Sequence, residues 1–280
     1  MEKIIVVVNA HKPDIVSIDF ACRVAALSQS TLTGLFLETL YYHPPGQSVG
    51  EETYIQSAPL KDGHWPVTPD TDQAVKYFVE ECSLHHIATE IYIDKGEPMQ
   101  EVIYESRFAD LLIVDPTINF YDSVEQSPSH FTKVILSKAE CPVLLSPAKI
   151  TDMEEIVFCY DGTTSSMYAF KQFSYLLPQY KYKKAILLEV NPTGNEEFLE
   201  DHRRIMNWLK AHYNNIDYES LKGKSKDELF SWFSTKANKI AVMGFYDRSV
   251  LSRIFKKSLT DSLIHSIDLP VFITHYNRQS

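Results

Sequence analysis

One stretch of this chain occurs twice, and a chain built from two copies of one unit has few ways to fold. Residues 239–275 read KIAVMGFYDRSVLSRIFKKSLTDSLIHSIDLPVFITH. An apolar strand (Ile240 to Met243) leads to a turn at Gly244. A helix follows whose Leu259, Leu263 and Ile267 recur every four residues, and then a second apolar strand, Val271 to Thr274. Residues 110–146, DLLIVDPTINFYDSVEQSPSHFTKVILSKAECPVLLS, repeat the plan, with Pro142 and Val143-Leu144-Leu145 set against Pro270 and Val271-Phe272-Ile273. Short apolar runs without alternation, each beside a helix, are what a parallel sheet covered on both faces requires.

The repeat extends upstream. Lys3 to Asn9 (KIIVVVN) and Glu155 to Asp161 (EIVFCYD) are β-branched or apolar first strands, aligned on Asn9 with Asp161. Asp14 is placed to cap a helix presenting Ile15, Ile18, Cys22 and Ala25 on one face, and a matching helix runs from about Ser165 to Leu177. Thr33 to Glu38 and Ala185 to Val190 are the second strands, aligned on Leu37-Glu38 with Leu188-Glu189. The halves then differ. Residues 41–70 hold Pro44, Pro45, Gly46, Pro59, Pro66 and Pro69 with Tyr41, Tyr42, Tyr54 and Trp65 and no periodicity, which predicts a long ordered covering loop. The second half has only a short turn, residues 191–196. Val75, Phe78, Val79 and Cys82 then mark a helix over 72–86, followed by a short strand over 90–93 and a helix over 99–108; helices near 197–212 and 227–237 echo them. The expected architecture is α/β: two tandem doubly wound domains, 1–149 and 152–280, each a five-stranded parallel sheet flanked by helices.

These landmarks resemble the universal stress protein family. The strand ending at Gly244, then Arg248-Ser249, the helix opening at Ser258, and Asp268-Leu269-Pro270-Val271-Phe272-Ile273 are similar to the closing half of its domain, and the resemblance covers nearly the whole chain twice. In that family the turn carries Gly, two residues, Gly, nine residues, then Gly-Ser or Gly-Thr, and binds the phosphates and ribose of ATP. Gly244 and Ser258 match; Asp247 and Lys257 stand where the other glycines would be. The resemblance makes Asp161, Val190, Gly244 and Ser258 the candidate nucleotide-binding residues. It implies a stress-response role, with ATP or ADP possible in the second half only. In the first half Asn9 and Asp115 occupy the positions of Asp161 and Gly244, and Asp115 puts a negative charge where phosphates would sit.

Side chains at Asp247 and Lys257 resist the close approach and positive φ that a phosphate cradle needs. The reading is therefore a non-catalytic binding or regulatory protein with degenerate nucleotide sites. The alternative is an adenine-nucleotide-binding protein, or a slow ATP hydrolase, using the second half. The last strands of the halves, residues 143–146 and 271–274, are apolar edges expected to meet within the chain as an intramolecular pseudo-dimer, with a homodimer also possible.

A formal net charge of −10, from 37 acidic against 27 basic residues, argues against a nucleic-acid partner. No apolar run approaches the roughly 20 residues of a membrane span, and the N-terminus reads as a first strand, so a cytoplasmic protein is expected. Cys22, Cys82, Cys141 and Cys159 lack metal-ligand spacing and read as small buried hydrophobes. His202 and His212 read as helix-surface residues, and no grouping of Ser, Cys, Asp and His suggests a catalytic triad. The sequence names neither a protein nor a small-molecule partner.

Overall fold

A computed structural model of the chain describes residues 1–38, 69–94, 96–120, 125, 127–190, 196–221, 232–233, 238–245 and 269–275. The first half contains β1 (Lys3–Asn9), α1 (Ile15–Ser28), β2 (Thr31–Leu37), α2 (Pro69–Leu84), β3 (Thr89–Asp94), α3 (Pro98–Glu105), β4 (Leu111–Val114), α4 (His130–Lys138) and β5 (Val143–Leu145). The second contains β6 (Glu155–Tyr160), α5 (Thr164–Leu176), β7 (Lys184–Val190), α6 (Glu196–His212), β8 (Asn215–Leu221), β9 (Lys239–Phe245) and β10 (Val271–His275).

The described strands form one sheet of ten, in the order β3-β2-β1-β4-β5-β10-β9-β6-β7-β8. Within each half every pairing is parallel, and the registers repeat: Val7 stands beside Val114 as Phe158 stands beside Val242 one residue lower. At the centre β5 and β10 pair antiparallel, Val143 with Ile273, Leu144 with Phe272 and Leu145 with Val271. The two five-stranded sheets thus do not stand apart. Pairing their last strands hides two apolar edges that would otherwise template aggregation.

The core follows the faces of this continuous sheet and not the halves. Because successive side chains alternate, Ile4, Val6, Ile156 and Phe158 point to one face, buried with Ile18, Phe78, Phe170 and Leu209 from α1, α2, α5 and α6. Ile5, Val7, Val157 and Cys159 point to the other, with Val102 and Ile135 from α3 and α4. Phe272 stands at the seam as the register partner of Leu144, its ring 5.2 Å edge-on from Phe173 of α5.

Helix starts follow local chemistry. Asp14 accepts from the Ser17 amide and caps α1, as expected from sequence; Ser129 accepts from the Thr132 amide at α4. Several expectations are corrected. The helix expected over 72–86 begins at Pro69, so the last two residues of the 41–70 segment are helical; the rest of that segment to residue 68 lies outside the described residues. Pro at the first turn forfeits no helical hydrogen bond. The helix expected to reach Phe108 ends at Glu105 and tightens into a 3-10 turn. Ile15 and Val79, placed on buried faces by spacing, are exposed because each lies at the rim of its apolar stripe. Of the helix expected over 227–237, only Trp232 and Phe233 are described.

Candidate functional site

In each half the first strand is flanked by neighbours reached in opposite directions, β2 and β4 around β1, β7 and β9 around β6. Ligands of open α/β sheets bind beyond the carboxyl ends of the strands at such a reversal. Asp161 and Asn9 stand at these two points.

Around β6 the turn is closed by its own side chains. Asp161 Oδ1 accepts from the Thr163 amide (3.1 Å), the Thr163 hydroxyl (2.7 Å) and the Ser166 hydroxyl. Thr163 in turn caps α5 by accepting from the Ser166 amide. Gly162 between them has φ 83°, a conformation glycine adopts without strain. Gly244 lies across the crevice in β9. A Cβ there would stand 2.3 Å from the carbonyl carbon of Ser165 and 2.5 Å from the Ser166 nitrogen, so the glycine is what lets the first turn of α5 sit on the strand. The Ser165 hydroxyl fastens this contact by donating to the Phe245 carbonyl.

Of the four residues singled out by sequence, Asp161 and Gly244 therefore meet on either side of the first turn of α5. Val190 ends the neighbouring strand β7, beside Leu221 of β8. Ser258 lies outside the described residues, as do Asp247 and Lys257.

Around β1 the same place is arranged differently. Asn9 donates to the Asn119 carbonyl (2.7 Å) and accepts from the amides of His11 and Lys12, holding a turn three residues longer than its counterpart before the helix cap. Asp115 stands where Gly244 stands in the other half and accepts from Thr117. A cavity of about 180 Å³ opens between them, with Asp14, Asp115, Lys12 and Ser17 among its walls. Burial raises both carboxyls above the ordinary value, and for Asp14 the nearby charge of Asp115 adds to the effect.

Sequence reasoning aligned Glu38 with Glu189 but missed what they do. Glu38 follows the last residue of β2 and Glu189 is the last but one of β7, and both are nearly inaccessible, at 4% and 3% exposure. Buried carboxylates need partners. Glu38 accepts from Thr71 of α2 (2.5 Å); Glu189 bonds His202 of α6 (2.9 Å) and accepts from Tyr218 of β8 (2.8 Å). His202 is thus tied to the strand ends and is not the plain surface residue its helical position suggested. Beside it, Tyr160 donates to Asp201, and burial together with that carboxylate pushes the phenol up. The available signal was the acid ending an apolar strand at the same place in both copies.

The four cysteines are buried, as expected; the fold brings the Cys22 and Cys82 sulfurs to 3.6 Å, a proximity no spacing could show. Among the described residues no three His, Cys, Asp or Glu side chains cluster as metal ligands, and no helix is long and apolar enough to cross a membrane.

No family model matches the sequence, and no curated protein matches it. Solved structures do. A universal stress protein from Archaeoglobus fulgidus DSM 4304 superposes with a TM-score of 0.69 at 13% identity, over 98% of both chains. A putative universal stress protein from Pseudomonas aeruginosa UCBPP-PA14 gives 0.61 at 14% identity, over 98% of this chain and 93% of the other. The cytoplasmic domain of a prokaryotic cation chloride cotransporter gives 0.54 at 10% identity, over 97% and 94%. The chain has the fold of full-length universal stress protein structures, through both halves. Since the same fold also serves in the cotransporter domain, function has to be argued from the site.

Proposed function

We propose that the protein is a tandem universal stress protein of the cytoplasm, a non-catalytic binding or regulatory protein of the stress response. In this reading residues 1–149 and 152–280 are its two domains, packed as an intramolecular pseudo-dimer, and its nucleotide sites are degenerate. The supporting observation is that Asp161 and Gly244, two of the three described candidate residues, are both engaged in seating α5. One carboxylate oxygen of Asp161 accepts three bonds from its own turn, and the space above Gly244 is filled by helix backbone. Asp247 and Lys257 further replace glycines in the sequence. Losing two or three charge-assisted hydrogen bonds, at roughly 1.5–3 kcal/mol each, moves a micromolar ATP site to about millimolar or weaker.

One observation favours a second reading, an ATP- or ADP-binding protein using the second half alone. Among the described residues Asp161 Oδ2 receives no hydrogen bond, leaving an acceptor for a purine amino group or a ribose hydroxyl. Calorimetry with ATP and ADP separates the two. The first reading expects no saturable heat at micromolar ligand and no nucleotide released when the purified protein is denatured and chromatographed. Micromolar binding abolished by Asp161→Ala would establish the second.

A further inference from the structure

We propose that the cavity at the carboxyl ends of β1 and β4 binds a short primary ammonium compound bearing a hydroxyl group. The inference begins with a difference between the copies. Ser17 and Ser166 hold the same place in their helices: each is three residues after the cap, and each donates its amide to the capping side chain. The Ser166 hydroxyl is satisfied by Asp161. In the first half the longer turn carries Asn9 off to the Asn119 carbonyl and the amides of His11 and Lys12. Among the described residues the Ser17 hydroxyl has no partner although the residue is only 2% exposed, and Ser17 lines the cavity. A buried hydroxyl without a partner carries a free-energy cost that a ligand can remove.

Charge selects the class of ligand. Two carboxylates, Asp14 and Asp115, share the cavity with one exposed cation, Lys12, so the lining is negative and disfavours phosphates. Both acids are held above the ordinary carboxylate range, and a cation between them relieves that strain. Val7, Val8 and Ile118 give the wall apolar contact for the methylenes of an organic cation, beside the polar Asn9, Thr117 and Asn119. Size agrees. About 180 Å³ compares with an engineered cavity of about 150 Å³ that holds benzene, and falls below the roughly 300 Å³ where pockets for larger ligands begin. The site lies in the first half and does not depend on how the second half treats nucleotides.

The test is an amide-resonance titration of the full-length ¹⁵N-labelled protein with ethanolamine, ethylamine, ethylene glycol and calcium chloride as probes. Saturable movement of the Ser17 and Thr117 signals is expected with ethanolamine at millimolar concentration, and none with ethylene glycol. Asp115→Asn, which keeps an acceptor for Thr117, is expected to weaken ethanolamine about tenfold or more. Ser17→Ala, whose hydroxyl makes no bond to lose, is expected to bring ethanolamine to the affinity of ethylamine and leave ethylamine unchanged. The proposal is overturned if neither amine gives saturable shifts, if calcium or ethylene glycol moves these signals as readily as the amines, or if Asp115→Asn leaves ethanolamine binding intact.

Discussion

Ser166 donates its hydroxyl to Asp161, whereas Ser17, at the same place in the twin helix, donates to nothing among the described residues. The two copies therefore diverge at the point where the fold offers its binding crevice. In the second half the turn is short and its polar atoms close on one another. In the first, three additional residues separate the strand end from the cap, and a cavity opens.

Asp161→Ala is expected to destabilise the protein by about 1–3 kcal/mol, because it strips partners from the Thr163 amide, the Thr163 hydroxyl and the Ser166 hydroxyl together. Urea unfolding measures it. A variant as stable as the parent would show that the carboxylate does not hold the turn, and would return Asp161 to the role of a ligand acceptor.

Gly244→Ala is expected to cost about 3 kcal/mol, the upper part of the usual overpacking range, because the new methyl would meet backbone and not a flexible side chain. The same unfolding experiment reads it. A cost below about 1 kcal/mol would mean that α5 shifts off β9 without penalty, and Gly244 would regain its reading as a phosphate-cradle glycine.

The sheet was legible in the sequence because a buried parallel strand has to be apolar throughout, and Ile4 to Val8 or Ile156 to Tyr160 leave no other place to go. The repeat then aligned Asn9 with Asp161 and Asp115 with Gly244, and the registers of β1 with β4 and of β6 with β9 agree with it. What the site residues do was not legible. A glycine kept for helix seating and one kept for phosphate approach are the same letter, and only the 2.3 Å approach of Ser165 separates them. Likewise, spacing on α6 places His202 on the polar side of the helix, but not that Glu189 waits at the end of β7. The core running along each face across both halves was equally hidden, since it depends on β5 meeting β10.

Asp115→Asn is expected to raise the melting temperature at neutral pH, with a gain that fades in acid. The folded-state pKa of Asp115 lies above its ordinary 3.8, chiefly through burial, and Asp14 is raised partly by Asp115. A raised group contributes its full stability below the unfolded value and loses it as pH climbs through the folded one. The parent therefore carries the charged, buried acid at pH 7, whereas the variant does not. Melting curves from pH 3 to 8 check the sign: a variant less stable than the parent at pH 7, or a gain that grows below pH 3.8, contradicts the assignment.

The seam between the halves makes the strongest demand on the chain. Leu144 and Phe272 are register partners across the antiparallel joint, both wholly buried, and Phe272 also meets Phe173 edge-on. Leu144→Glu with Phe272→Glu would set two like charges side by side in the core, with no cation beside them in the register. Each uncompensated buried charge costs about 3–5 kcal/mol, and together they reach most of the roughly 5–15 kcal/mol that stabilises a folded protein. The double variant is expected to lose its cooperative melting transition and to aggregate, since separating β5 from β10 exposes two apolar edges at once. Each single variant should retain a transition at lower temperature. If the double variant instead melted as two independent folded halves, the continuous core along each face would not be what couples them.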